Sequence, residues 1–209
     1  MYKKYIKRIL DIIISALAII ILMPVYLIIS LLVAIFMGFP ILFKQERVGE
    51  NEKNFNIYKF RTMTNKKNKN GTLLPDSERV TKFGRFLRKT SLDELPELFQ
   101  ILKGNMSLVG PRPLLVRYLP YYNERERKRH NIKPGLTGLA QINGRNSLQW
   151  EDRFDLDVKY MENVSFLLDC KIVILTIKKV IFSENIILAG EGKIKAFDVY
   201  RKEQNESYR

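Results

Sequence analysis

The sequence predicts a mostly α-helical protein with a small β-hairpin, attached to a membrane through its N-terminal segment. An uncharged, apolar run extends from Ile12 to Phe43, which is longer than the ~20 residues that a membrane helix needs. Two partly alternating stretches then flank the turn-rich residues GENEKN, a pattern typical of a β-hairpin. Apolar residues at helical spacing recur over much of the remaining chain.

Pro24 stands in the middle of the apolar run, in ILMPVYL, where a proline removes a helical hydrogen bond and breaks or kinks a helix. Each half then forms about 18 Å of helix, roughly half of a hydrocarbon core. Basic residues flank the run on both sides (Lys3, Lys4, Lys7 and Arg8 before it, Lys44 and Arg47 after it). Because basic flanks prefer the cytoplasmic side, they favour a re-entrant hairpin, whereas the length also allows a kinked spanning helix.

The run differs from a signal peptide because it is too long and no small-residue cleavage site follows it. We therefore expect it to stay attached. A polar loop, NKKNKNGTLLPDS, follows the β-hairpin, and a helix is predicted from Ser77. That helix carries apolar residues (Val80, Phe83, Phe86, Leu87) and basic ones (Lys82, Arg85, Arg88, Lys89). The pattern suits either an interfacial helix on anionic lipid or a basic face over a core.

The second half of the chain is predicted to alternate helices with glycine- and proline-rich loops. Helices are expected at residues 95–102, 123–130, 148–162 and 166–182, the second of them on the surface with His130 exposed. The stretch KPGLTGLAQINGRN is predicted to be a long loop without regular structure. Beyond residue 184 the chain becomes polar, and we expect it to fray.

Composition narrows the function classes. The chain has 36 Lys and Arg against 22 Asp and Glu, a net charge of +14, so anionic partners are expected. The single cysteine, Cys170, excludes an internal disulfide and a cysteine-based metal cluster, and the single histidine excludes a histidine-rich metal site. A nucleic-acid binder fits the charge, but it does not explain the apolar anchor, and no binding module is recognisable.

The hexapeptide TSLDEL raises the question of catalysis. Ser91 and Glu94 fit a capping box, in which each side chain satisfies a backbone N–H of a helix start. That start would place Pro96 at the fifth helical position, against the carbonyl of Leu92. We therefore predict that the helix begins at or near Asp93, which frees Glu94 for another role.

Three stretches together resemble one known family: FKQERVG…FNIYKFRTM, SLDELPELFQILKGNMSLVGPRP and RHNIKPGLTGLAQINGR. The chain is similar to the bacterial sugar transferases, the monotopic phosphoglycosyl transferases, from about Tyr2 to Phe182. The resemblance implies transfer of a sugar 1-phosphate from a UDP-sugar to undecaprenyl phosphate, with release of UMP and a requirement for Mg²⁺. It also implies a re-entrant helix broken at a Ser-Pro pair, of which this sequence keeps Pro24 but has Met23 before it.

Phosphoryl transfer between two phosphates depends on positioning and on cations that neutralise charge. Asp93 suits attack on phosphorus, and the resemblance assigns the nucleophile to it. We expect Glu94 to assist, and both carboxylates to hold the Mg²⁺. The phosphates are expected to contact basic residues that lie in matching motifs: Lys59, Arg88, Arg112 and Arg145. Asp157, part of a D-x-D triplet with Asp155, is expected to support one of these arginines.

The resulting organisation has a membrane hairpin over residues 1–40, a catalytic domain over 41–183 and a polar tail over 184–209. The resemblance places the protein on the cytoplasmic face of the bacterial inner membrane, in contact with anionic lipid and with downstream glycosyltransferases as further partners. An N-acetylated sugar is the expected donor group. Two alternatives stay open, a non-catalytic membrane scaffold of a glycan assembly complex and a direct attack within a ternary complex.

Overall fold

The computed structural model describes residues 1–144, 148–182 and 194–207 of the chain. It is mostly helical with two small sheets, so the predicted fold class is confirmed at that level. The helices are α1 (Lys7–Ile21), α2 (Met23–Met37), α3 (Asp76–Arg79), α4 (Lys82–Lys89), α5 (Glu97–Lys103), α6 (Glu124–Arg127), α7 (Leu139–Ile142), α8 (Trp150–Glu162), α9 (Phe166–Ile181) and α10 (Phe197–Ser207). The strands are β1 (Leu42–Val48), β2 (Asn54–Phe60), β3 (Ser107–Val109) and β4 (Gly135–Thr137).

The apolar N-terminus forms two helices, α1 and α2, that meet at Leu22 with a bend of 62°. Pro24 lies in the first turn of α2, where its missing N–H costs no helical hydrogen bond, so the break falls just before the proline. Among the described residues, no single helix is long and apolar enough to cross a membrane, whereas the bent pair passes the same test of length and composition.

One face of this helix pair is apolar and exposed. Its members on α2 are Leu27, Ile28, Leu31, Ile35 and Phe36, each more than half exposed. The opposite face of α2 is buried, with Tyr26, Ile29, Val33 and Met37 packed against Phe60 and Leu87 of the rest of the chain. The helix pair is therefore part of the core on one side and presents an unpartnered apolar surface on the other.

Buried polar contacts fix α1 to the remaining chain. The carboxylate of Asp11 accepts a hydrogen bond from the backbone N–H of Leu108 at 2.9 Å. Asp169 on α9 accepts hydrogen bonds from Lys7 at 2.7 Å and from Tyr2 at 2.6 Å. These carboxylates are almost fully buried, and burying a carboxylate without a partner would cost free energy of folding. The contacts therefore hold α1 in a defined position.

The predicted hairpin is present: β1 pairs antiparallel with β2, in a register that joins Leu42 to Phe60 and Val48 to Asn54. The second sheet was not predicted. β3 and β4 pair in parallel, and a Cβ on Gly135 would lie 2.1 Å from the backbone nitrogen of Gly110. The prediction of an unstructured KPGLTGLAQINGRN loop is wrong, because its glycines let two backbones approach closely enough to pair.

Two helix predictions need correction. The helix expected from Ser77 is divided into α3 and α4, because Val80 is extended and bridges to Met63, and Thr81 then caps α4. The surface segment 123–130 becomes α6 and a following 3₁₀ turn. His130 is only 4 % exposed, so its predicted surface position is wrong.

Helices α8 and α9 match the two predicted helices at residues 148–162 and 166–182. The region expected to fray contains α10 instead. Phe197 at its start is fully buried and packs against Tyr118, Trp150 and Phe154. These aromatic contacts hold α10 in place. The segment is polar overall, and Phe197 is the one large side chain that anchors it.

Candidate active site

A short acidic turn precedes α5. Ser91 adopts a left-handed conformation with φ of 58°, and residues Leu92–Glu94 form a single 3₁₀ turn. Helix α5 begins at Glu97, directly after Pro96, so the predicted helix start at Asp93 is four residues too early. Ser91 makes no side-chain cap, and the predicted loss of the capping box is confirmed.

Glu94 is held by two cations. Its Oε1 atom accepts a hydrogen bond from Lys59 Nζ at 2.5 Å and another from Arg112 at 2.6 Å. Lys59 on β2 also lies 3.2 Å from Glu97. Burial alone would raise the pKa of Glu94, but Arg112 and Lys59 outweigh it and hold that pKa well below its usual range. Glu94 is therefore a permanent anion.

Asp93 lies beside this pair with a different environment. It is 8 % exposed, and among the residues that the structure describes none donates a hydrogen bond to its carboxylate. Burial, followed by the negative charge of Glu94, raises the pKa of Asp93 to about 7, against the opposing effect of Lys59, Arg88 and Arg112. Two adjacent carboxylates thus differ in ionisation, an arrangement common at reactive sites.

Arg88 approaches Asp93 from α4. Its Nε donates to the hydroxyl of Thr62 at 2.9 Å. This contact depends on a close approach of α4, since a Cβ on Gly84 would lie 1.9 Å from the carbonyl oxygen of Thr62. Arg88 and Asp93 line the same cleft. Burial lowers the pKa of Arg88, and the negative charge of Asp93 offsets only part of that effect.

Asp157 supports the Pro-Arg-Pro segment through another arginine. Its Oδ2 accepts hydrogen bonds from Arg129 at 2.7 and 3.0 Å, and both side chains are 2 % exposed. Arg129 also donates to the backbone carbonyl of Arg112 at 2.7 Å. Asp155 is exposed and lies 3.1 Å from Arg125, so the two carboxylates of the D-x-D triplet face different surroundings and do not converge on a metal.

These residues surround a cleft of about 1230 Å³. The basic side chains described along its lining are Arg47, Lys59, Arg61, Arg79, Arg88, Arg112, Arg153, Lys179 and Lys195. The acidic ones are Asp93, Glu94 and Asp157. A cleft with this excess of cations is suited to a substrate that carries several negative charges. Arg145, expected among the phosphate ligands, lies outside the described residues.

Arg47 and Arg129 are two of the site residues that the sequence did not single out. The Nε of Arg47 is buried without a hydrogen-bond partner in the described part of the chain, and burial together with Arg112 lowers its pKa to about 10. Arg47 lies in the FKQERVG stretch, whose match to the family was the available signal. Arg47 lines the cleft, where its guanidinium adds to the positive charge.

The carboxylates of Asp93 and Glu94 are the candidate ligands for Mg²⁺. Within the described ranges, no group of three or more His, Cys, Asp or Glu side chains is arranged to hold a metal ion. Mg²⁺ commonly keeps several waters and uses one or two carboxylates together with substrate phosphate. Asp93 offers a carboxylate without a hydrogen-bonded partner, and Glu94 stands next to it, so these residues fit such a site.

Several known bacterial proteins are similar in sequence to this chain. It is 58% identical over 149 residues to an uncharacterized sugar transferase, EpsL, of Bacillus subtilis (strain 168), covering 71% of this chain and 74% of that protein. It is 39% identical over 194 residues to the exopolysaccharide production protein ExoY of Sinorhizobium fredii, covering 85% and 86%. It is also 42% identical over 183 residues to the UDP-glucose:undecaprenyl-phosphate glucose-1-phosphate transferase of Klebsiella pneumoniae.

That Klebsiella alignment covers 83% of this chain but only 39% of the longer protein. The match to the family described as bacterial sugar transferase extends over residues 2–183, nearly the whole chain and all of the site described above except the C-terminal part of the cleft. The chain therefore belongs to the bacterial sugar transferase family.

Proposed function

We propose that this protein transfers a sugar 1-phosphate from a UDP-sugar to undecaprenyl phosphate and thereby initiates assembly of a membrane-bound glycan. The observation that carries the proposal is the environment of Asp93. Its carboxylate is buried and has no hydrogen-bonded partner among the described residues, and it lies in a cleft lined by cations. The names of relatives from Klebsiella and Komagataeibacter, both undecaprenyl-phosphate sugar transferases, agree with it.

In the first step, one carboxylate oxygen of Asp93 attacks the phosphorus that carries the sugar. A bond forms between that oxygen and phosphorus, and the bond from phosphorus to the bridging oxygen of the diphosphate breaks. The bridging oxygen leaves with the electron pair as part of UMP. Lys59 and Arg112, held by Glu94, and Arg88 are placed to neutralise the charge that develops on the phosphate oxygens.

In the second step, a phosphate oxygen of undecaprenyl phosphate attacks the same phosphorus. The bond between phosphorus and Asp93 breaks, which regenerates the carboxylate and releases undecaprenyl diphosphate sugar. Asp93 and Glu94 would hold a Mg²⁺ ion, which would supply further neutralisation of phosphate charge. Glu94 keeps its charge throughout, because its low pKa prevents protonation near neutral pH.

The exposed apolar face of α1 and α2 is proposed to lie in the cytoplasmic leaflet of the bacterial inner membrane, as a re-entrant pair. The bend of 62° at Leu22 and the absence of a sufficiently long single helix among the described residues support this topology. The exposed basic side chains of α4, which are Lys82, Arg85 and Lys89, would then contact anionic lipid. This arrangement brings a lipid-borne acceptor to the level of the cleft.

The activity is tested by incubating the purified protein in detergent with undecaprenyl phosphate, Mg²⁺ and a panel of UDP-sugars. The panel includes UDP-glucose and UDP-galactose, because relatives are named for glucose and galactosyl transfer, and UDP-N-acetylhexosamines. We expect one donor to give an organic-extractable diphosphate sugar together with stoichiometric UMP. Failure of every donor, with Asp93→Asn indistinguishable from the unsubstituted protein, would contradict the proposal and favour a non-catalytic scaffold.

A further inference from the structure

A second cavity, of about 650 Å³, lies between α2, the end of β2 and one face of α5. We call it the side groove and define it by its apolar residues Tyr26, Phe39, Ile41, Phe60, Pro96 and Phe99. On α5 its lining recurs at positions 96, 99, 100 and 103, the spacing of a single helix face. That face extends over about 10 Å along the helix axis.

Most of the side groove is lined by apolar side chains, with Ser30, Tyr58 and Lys103 as further polar residues. Two of its polar residues have hydrogen-bonding groups engaged elsewhere. The hydroxyl of Tyr26 donates to the backbone carbonyl of Leu95 at 2.5 Å. The amide oxygen of Gln100 accepts a hydrogen bond from Asn105 at 2.9 Å. The groove consequently presents a mainly apolar surface, which fits a hydrocarbon ligand better than a nucleotide or a sugar.

The side groove adjoins the active-site cleft. Phe60 lines both cavities, and the preceding residue, Lys59, contacts Glu94. Leu95 lines the cleft, and the next residue, Pro96, lines the groove. One end of the groove therefore lies only three residues from Asp93, where the surroundings change from apolar to cationic.

The other end of the groove meets the exposed apolar face of the N-terminal helix pair. Phe39 at this end is 77 % exposed, and Ser30 of α2, a groove residue, is followed by Leu31, which is 62 % exposed on the outer surface. This end of the groove therefore lies beside the apolar face that is proposed to enter the leaflet. The groove and cleft together match an amphiphile with an apolar chain and an anionic head group.

We propose that the side groove binds the part of the prenyl chain that adjoins the phosphate of the lipid acceptor, and so delivers that phosphate to Asp93. The inference rests on the proposed function, because the occupant is the acceptor of that reaction. The chain segment nearest the phosphate lies between Phe60 and Phe99, and the remainder extends past Phe39 into the bilayer. The acceptor is thus selected by its apolar chain before its phosphate reaches the cations.

The test fills the groove without altering the cleft. Ser30→Trp places a large side chain inside the groove, and Leu31→Trp places the same side chain on the outer surface of the same helix as a matched control. Two rates are measured in detergent: UMP release from the UDP-sugar without acceptor, and transfer to undecaprenyl phosphate over a range of concentrations. We expect Ser30→Trp to raise the KM for undecaprenyl phosphate at least tenfold with little change in the acceptor-independent release of UMP, and Leu31→Trp to change neither.

The outcomes separate this inference from the proposed function. If the unsubstituted protein releases no UMP and transfers no sugar phosphate, the proposed function fails and the inference falls with it. If UMP is released normally but Ser30→Trp leaves the KM unchanged, or if Leu31→Trp raises it equally, the groove is not the acceptor site. Should Ser30→Trp fail to fold, Phe99→Ala, at a partly exposed wall of the groove, decides the question, because an unchanged KM would overturn the proposal.

Discussion

The hydroxyl of Tyr26 donates a hydrogen bond to the backbone carbonyl of Leu95, 2.5 Å away. Tyr26 lies in the first turns of α2, and Leu95 directly follows the acidic turn that carries Asp93 and Glu94. The apolar helix pair therefore contacts the reactive turn itself. Arg8 of α1 donates to the carbonyls at the other end of α5, so the pair holds both ends of this helix.

Tyr26→Phe is expected to reduce the rate of sugar-phosphate transfer. Loss of one partly buried hydrogen bond costs about 1 kcal/mol, and here it frees the carbonyl that fixes the end of the acidic turn. Thermal unfolding and the rate of UMP release are measured together. The matched control is Tyr5→Phe at an exposed site. A variant with unchanged stability and rate would show that the contact does not position the turn.

Asp93→Asn is expected to abolish transfer and to raise the thermal stability. Because burial raises the pKa of Asp93 to about 7, above its unfolded value of about 4, the folded state binds the proton more tightly. Its contribution to stability is present at low pH and is lost as pH rises through 7. The gain in melting temperature should therefore increase from pH 5 to pH 8. A gain that shrinks over this range would contradict the assigned pKa direction.

UMP release without acceptor is expected to rise with pH and to have an inflection near 7, because only the ionised carboxylate is a nucleophile. Glu94 is a cause of the raised pKa of Asp93. Glu94→Gln should therefore move the inflection to lower pH while reducing the rate, since Lys59 and Arg112 lose their partner. An inflection that stays in place, or moves upward, would be inconsistent with coupling between these carboxylates.

Asp157→Asn is expected to destabilise the protein by roughly 3–5 kcal/mol, because it leaves Arg129 buried without its counter-charge. It should also lower kcat, since Arg129 holds the carbonyl of Arg112. Asp155→Asn makes the same chemical change at an exposed position of α8 and should alter stability by about 0.5 kcal/mol or less. Chemical denaturation and steady-state rates are measured for both. Equal effects of the two substitutions would refute the positioning role of Asp157.

The topology is tested by cysteine labelling in a Cys170→Ser background. Lys4→Cys and Lys53→Cys lie on either side of the helix pair, and both positions are exposed. A re-entrant pair predicts that a membrane-impermeant reagent labels both only in inverted vesicles. Labelling of the two positions from opposite sides would demonstrate a spanning helix.

Sequence reasoning succeeded where local pattern decides structure. The alternation around GENEKN gave the hairpin of β1 and β2, helical spacing gave α8 and α9, and the position of Pro96 ruled out a capping box at Ser91. These features depend on neighbours in the chain. They could be derived without knowing any tertiary contact.

The predictions that failed concern long-range contacts. His130 is buried with its ring against Tyr122 and one ring nitrogen 3.3 Å from Glu52, and burial together with Arg129 lowers its pKa to about 3. The β3–β4 pair depends on glycines that are far apart in sequence, and Arg129 became a site residue only through Asp157, 28 positions away. A charged residue in a polar stretch of sequence is predicted to be exposed, because its distant partner cannot be identified from the sequence. The burial of charged side chains beside distant partners is therefore the feature of this site that could not be predicted from the sequence.

The central claim is that Asp93 forms a covalent bond to phosphorus. It is tested most directly by mixing the purified protein with UDP-sugar and Mg²⁺ without lipid acceptor, and measuring UMP and the intact mass. We expect about one equivalent of UMP per protein and a mass increase of one sugar phosphate, located on Asp93 by peptide mapping and discharged by undecaprenyl phosphate. UMP formed only when acceptor is present, with no adduct, would contradict it and establish direct attack within a ternary complex.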